Sequence, residues 1–265
     1  MRYGQHFLQA LLLGALAASS LALPARVAAR GGHQTGTPYI VVLDAGHGGS
    51  DTGAAASDTE VEKYLTLAVA KVAAKDLQAM GYRAYVDRTR DQAVNTPPRD
   101  LNGDGQIDHV DEFSARTLFA NRHHADLLVS IHFDASTDPT VHGTHGYYCP
   151  ARPFWRQSEK LAKLLTSSVS SSVRQAGYGD TNNGVQTDVA DVVPQTRADY
   201  PWFLVLGPSA RHFVIGSAMP GALIETMYLS SPRDAAALLK QSIIDAAARG
   251  YANGIRRYFG GQTRR

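Results

Sequence analysis

The sequence predicts an α/β fold with parallel strands, and three observations carry that prediction. An apolar strand-type run, Tyr39–Leu43, is followed by an amphipathic helical pattern and then a short alternating strand, Tyr82–Asp87. Such a strand–helix–strand unit closes as a right-handed crossover between parallel strands. Two more apolar runs, Asp126–Ala135 and Pro220–Glu225, have the composition of fully buried strands. Helical spacing of apolar residues returns between and after them.

At 265 residues, 44% hydrophobic and 19% charged, the chain is long enough for one large domain or two small ones and can bury a core without staples. A net charge of +2, with no dense Lys/Arg stripe, argues against a nucleic-acid partner. The one cysteine, Cys149, lies in a strand-like run and reads as buried filler. Residues 1–29 have the pattern of a secretory signal peptide. Arg2 precedes an apolar run, Phe7–Leu23, and small residues follow, with cleavage expected near 22 or 29. The run is short for a membrane span, so export to the periplasm or the extracellular cell wall is expected, with no span in the mature chain. Residues 30–38 read as a flexible spacer.

The first strand ends in Asp44-Ala-Gly-His-Gly-Gly-Ser-Asp51, a glycine-rich turn with His47 at its tip. Open α/β sheets place their chemistry at such strand ends. A helix should start near Asp58 or Thr59 and run to Met80, with Gly81 closing it. Glu62 then has two readings, the distal half of a capping box with Thr59 or a carboxylate aimed at the strand end that carries His47.

Asp100–Asp111 matches an EF-hand or dockerin-like calcium loop, with Asp100, Asn102, Asp104, Gln106 and Asp111 at ligand positions and Gly105 at the turn. Asp stands at the twelfth position where EF-hands use Glu, and Pro97-Pro98 forbids an entering helix. An exiting helix is expected over about Glu112–His123. The strand Asp126–Ala135 carries His132 near its end.

Thr144–Pro150 reads as a strand, Phe154–Gln175 as an amphipathic helix and Gly177–Gly184 as a turn-rich loop. Gln186–Met219 has no clear period and could wall or cover a cleft. The strand Pro220–Glu225 ends in a carboxylate, and one last helix should cover about Arg233–Tyr258.

His47, Glu62, His132 and Glu225 therefore converge on one sheet edge. Two imidazoles and a carboxylate make a three-ligand zinc set with an open position, and a further carboxylate can serve as base. Asp44 is either a turn-former or a partner for a ligating imidazole. His142, His145 and His212 could approach the cleft but read as solvated loop residues, like His109, His123 and His124.

These residues resemble the zinc-dependent N-acetylmuramoyl-L-alanine amidases of the amidase 3 family. The matching stretches are Leu43–Ala54, Glu62-Lys63, Thr89-Arg90, Arg116 with Ala120-Asn121, Ser130-Ile-His132 and Ala222-Leu-Ile-Glu225. The resemblance implies zinc bound by His47, Glu62 and His132, with Glu225 as catalytic base. It implies one catalytic domain over 39–260, with a twisted, mixed, mostly parallel sheet flanked by helices on both faces; the calcium loop 100–111 departs from the family as an insertion within it. Peptidoglycan is the substrate it implies, cut at the amide between muramic acid and L-alanine. Two departures are Asp134 and Asn183, where the family usually has Asn and Arg. The competing readings are a zinc peptidase acting within the stem peptide and a non-catalytic wall-binding protein.

Overall fold

A computed structural model describes residues 37–58, 60–189 and 199–260. The expected signal peptide, most of the spacer and Thr59 lie outside the described residues. Within them, six strands form one sheet: β1 (Ile40–Ala45), β2 (Arg83–Val86), β3 (Leu127–Asp134), β4 (Thr144–Tyr148), β5 (Asn182–Thr187) and β6 (Gly221–Tyr228), in the order β2-β1-β3-β6-β4-β5. All neighbours are parallel except β4 and β6. The expected mixed, mostly parallel sheet is observed.

The helices are α1 (Glu62–Ala79), α2 (His109–Arg122), α3 (Trp155–Gln175), α4 (Pro232–Leu238) and α5 (Gln241–Tyr258). Side chains alternate along a strand, and the sheet sorts them by face. Val41, Leu43, Val129, Ile131 and Ile224 pack with Val69 and Leu77 of α1, Leu161 and Leu165 of α3, and Tyr251 and Ile255 of α5. Val42, Leu128 and Leu223 face the other way, against Ala120 of α2 and Val205, Leu206 and Met219. Residues 199–219, unreadable from periodicity, thus cover much of the second face alongside α2. Tyr200, Leu204, Phe213 and Val214 add a small cluster over Val110 of α2.

Four boundaries differ from the sequence prediction. Helix α1 begins at Glu62 behind an extended Val61, because 55–61 folds back: Ala55 bridges to Val61, and Glu62 N donates to Ala54 O. The capping-box reading of Glu62 is therefore wrong. Helix α2 begins at His109, since Asp108 accepts from Val110 N while Asp111 accepts from Asp108 N, a capping box that absorbs the end of the loop. The turn-rich stretch hides β5, whose main chain pairs with β4 through Val185, Gln186 and Thr187. The last helix is two, broken at Leu239–Lys240, which lets Ala237, Leu238, Ile243 and Ile244 all reach the core.

Candidate metal centre

The parallel pairing of β1 with β3 brings the ends of both strands together, and the crossover returns the first turn of α1 to the same edge. His47 Nε2 and His132 Nδ1 each lie 3.0 Å from Glu62 Oε1. The rings meet edge to face, with centroids 4.8 Å apart. Glu62 is buried, and its oxygens accept from Ala54 N at 2.9 Å and Phe133 N at 3.0 Å. Among the described residues this is the one group of three His, Cys, Asp or Glu whose ligand atoms all fall within 4.8 Å of one another.

The glycines around it are required by packing. A Cβ on Gly46 would sit within 2.8 Å of three ring atoms of His132. Gly53, at φ +64°, leaves room for Glu62 and for His47 Cδ2, which a Cβ would approach to 2.7 Å. His47 itself holds φ 60°, uncommon for a residue with a side chain. Two buried guanidinium groups pin this turn by its carbonyls. Arg88 donates to Ala45 O and Gly46 O at 2.9 Å, and Arg116 to Ala45 O at 2.9 Å and His47 O at 2.7 Å.

Several side chains take parts other than those expected of them. Asp44 does not orient a histidine: it accepts from Arg116 Nη1 and Ser130 Oγ, both at 2.5 Å. Asp51 does so instead, with Oδ2 2.9 Å from His47 Nδ1. Its signal was a carboxylate four residues after the histidine in a tight turn. Arg90, matched by motif, is exposed and bonds Gln92, whereas Arg88 is the buried clamp.

Electrostatics follow from the crowding. Against the cost of burial, hydrogen bonds with Asp51 and Glu62 raise the His47 imidazole from 6.5 to about 9. Against its own burial, contacts with His132 and His47 hold the Glu62 carboxyl well below the usual range. Burial, reinforced by the negative charges of Glu62 and Asp134, pushes Glu225 well above it.

Glu225 lies on β6 directly across from His132 on β3. The register slips just beyond, where β6 spends one more residue than β3, and Met227 takes φ 71°. Glu225 Oε2 is buried without a hydrogen-bond partner. On the other side of Glu225, β4 presents His145. From the sequence His145 is expected to be a solvated loop residue. It is buried on a strand, with Nε2 3.1 Å from Tyr147 Oη and 3.4 Å from Asp134 Oδ2.

The 100–111 loop does not bring its carboxylates together as a three-ligand group. They are engaged by main-chain N–H groups: Asp100 by Gly103 and Gly105, Asp104 by Gln106, and Asp111 by Leu101, Asn102 and Asp108. Asn102 Nδ2 donates to Phe213 O. Nothing in these contacts supports calcium.

An α/β sheet with a His–Glu–His cluster at its strand ends, and a raised carboxyl on the next strand, has the layout of a metal-dependent hydrolase. The Amidase_3 family model, described as N-acetylmuramoyl-L-alanine amidase, matches residues 41–257. Among curated relatives, the amidase AmiA of Salmonella typhimurium is 28% identical over 245 residues, 85% of this chain and 78% of its own. The amidase AmiC of Neisseria meningitidis is 27% identical over 243 residues, 85% of this chain but 54% of its own, so this chain spans about half of that relative. The crystal structure of an N-acetylmuramoyl-L-alanine amidase from Clostridium difficile 630 superposes with a TM-score of 0.61 at 25% identity, covering 84% of this chain and 98% of that one. The chain belongs to the N-acetylmuramoyl-L-alanine amidase family. Its domain is a peptidoglycan amidase, hydrolysing the amide between N-acetylmuramic acid and L-alanine.

Proposed function

We propose that His47, Glu62 and His132 hold a zinc ion and that Glu225 is the general base of the amidase reaction. The observation that carries this is the convergence of two imidazole nitrogens on one carboxylate oxygen, each at 3.0 Å. Ligands of a tetrahedral zinc, each about 2.0–2.1 Å from the metal, lie about 3.3 Å apart, close to the two imidazole–carboxylate separations, and all three donors lie within 4.8 Å of one another. Zinc there would polarise the scissile carbonyl and acidify a water.

The protein's own groups do the rest. Both imidazoles must be neutral to ligate, and Asp51 fixes the His47 ring by its far nitrogen. Glu225 takes a proton from the attacking water and returns it to the amide nitrogen as the C–N bond breaks. The products are a lactyl carboxyl on the sugar and the free amine of the stem peptide. A carboxyl already biased toward protonation suits this shuttle. Glu225→Gln should keep its metal and lose at least about a hundredfold in stem-peptide release from purified peptidoglycan. Near wild-type release by that variant would end this mechanism.

Two narrower proposals go with it. The N-terminal 29 residues act as an export signal, supported by their charge and apolar pattern. The mature protein then works on the wall, in the periplasm or outside the cell, and no helix among the described residues is long and apolar enough to cross a membrane. Calcium binding at Asp100, Asn102, Asp104, Gln106 and Asp111 rests on ligand spacing alone. Calcium should raise the melting temperature of the wild type, and Asp104→Ala should remove that increment. Equal melting with calcium and with chelator would eliminate it.

A further inference from the structure

Two cavities flank the metal cluster. One, of about 760 Å³, is lined by Glu225 and by none of His47, Glu62 and His132. The other, of about 340 Å³, is lined by His47 and His132 but not by Glu225. On the mechanism above, the leaving amine must come within hydrogen-bond reach of Glu225. The peptide that begins at that nitrogen then departs through the first cavity, and the muramoyl half lies toward the second.

The first cavity has a definite chemistry. Asp134 lines it, its side chain 28% exposed, with Oδ1 accepting from Ala135 N at 2.7 Å and Oδ2 3.4 Å from His145 Nε2. The second nitrogen of His145 lies 3.3 Å from Tyr228 Oη. The rings of Tyr147, Tyr228 and Phe203 form walls, and the polar edge, including Asn183 and Gln186, is neutral. The titratable acids and imidazoles there are Asp134, Glu225, His142 and His145, and among the described residues no Lys or Arg lines the space. Arg233 comes within 3.4 Å of His142 Nε2, but it donates to Gly179 O and stacks on Tyr178, outside the lining.

We propose that this cavity is the stem-peptide subsite and that it takes an ammonium-bearing side chain of the peptide, held by Asp134 and the aromatic walls. An ammonium gains a charge-assisted hydrogen bond and ring faces. A carboxylate would meet Asp134 with no Lys or Arg among the described lining residues to offset it. The N-acetylated glycan carries no ammonium, so the group must come from the peptide. The proposal rests on the amidase reading.

The test uses three synthetic muramoyl peptides that differ at the diamino-acid position: lysine, Nε-acetyllysine and norleucine. Stem-peptide release is followed by mass spectrometry. The wild type should cleave the lysine peptide with about tenfold higher kcat/KM than either neutral analogue, the scale of one charge-assisted hydrogen bond. Asp134→Asn should bring that ratio to about threefold or less. Asn183→Lys, on an exposed position at the rim, should lower it as well. Cleavage of all three peptides by the wild type at equal kcat/KM overturns the subsite and leaves the amidase reading standing. Cleavage of none, or cleavage within the stem, overturns both.

Discussion

His47 takes its properties from three neighbours. Its Nδ1 is fixed by Asp51, its Nε2 faces Glu62 and its main chain is held at φ 60° by the bond from Arg116 to its carbonyl. Two carboxylates around one imidazole raise it from 6.5 to about 9. The metal-free fold therefore carries a proton on His47 at neutral pH, and that proton stabilises it. This contribution is complete below pH 6.5 and is lost as pH rises through about 9. Zinc must displace the same proton. Two outcomes are expected over pH 6.5–9: the metal-free protein melts at falling temperature, and zinc affinity climbs. Calorimetry at pH 7 in buffers of different ionisation enthalpy should record release of about one proton per zinc bound. No buffer dependence would show that His47 gives up no proton to the metal. Position four after the histidine made Asp51 legible in principle. The identity of its partner was not, because Asp44 has an equally short path in sequence and goes to Arg116 instead.

Elements in this protein approach one another where glycine allows it. Gly46 accommodates the His132 ring, so the glycines of the first turn serve packing before they serve access to the cleft. Helix α5 uses the same device against α3. A Cβ on Gly250 would come within 2.9 Å of Val169 N, and one on Gly254 within 3.0 Å of Leu165 Cα. Gly250→Leu should force these helices apart and cost about 2–3 kcal/mol, the scale of an overpacked core. Urea denaturation would register this as a lower midpoint at unchanged slope. A midpoint at or above wild type would show that α5 can move without loss. The periodicity of both helices was readable, since apolar residues recur every three or four positions. The break at Leu239–Lys240 was not, because either side of it alone keeps a helical pattern.

Across the whole molecule, one face of the sheet is covered by three long helices and the other by α2 and residues 199–219. That second cover is tied down chiefly by α2. Thr117 Oγ1 donates to Ile215 O, and Asn121 binds Gly216 O at 3.2 Å and Ala218 N at 2.7 Å. Asn121→Ala removes both of its anchors at once. It should cost about 1–2 kcal/mol and expose 199–219 to limited proteolysis below the global melting temperature. Cleavage no faster than wild type would show that the apolar contacts of Trp202, Phe203 and Leu206 suffice. This face also supplies Phe203 to the cavity beside Glu225, so its anchoring bears on the substrate as well as on stability.

The sequence alone determined the α/β class, the strand ends carrying His47, His132 and Glu225, and the family motifs that run through the chain in order. Those are properties of local period and of residue type at strand ends, which a linear reading preserves. The tertiary structure decided what depends on register and on contacts between distant segments. It put Glu62 in the first turn of α1 facing two imidazoles rather than in a cap. It gave Arg88 and Arg116 to the carbonyls of the first turn, found β5 in a turn-rich stretch, and brought His145 and Asp134 together beside Glu225. Each of these rests on at least one partner more than about 35 residues away in sequence, and such a contact leaves no periodic trace along the chain.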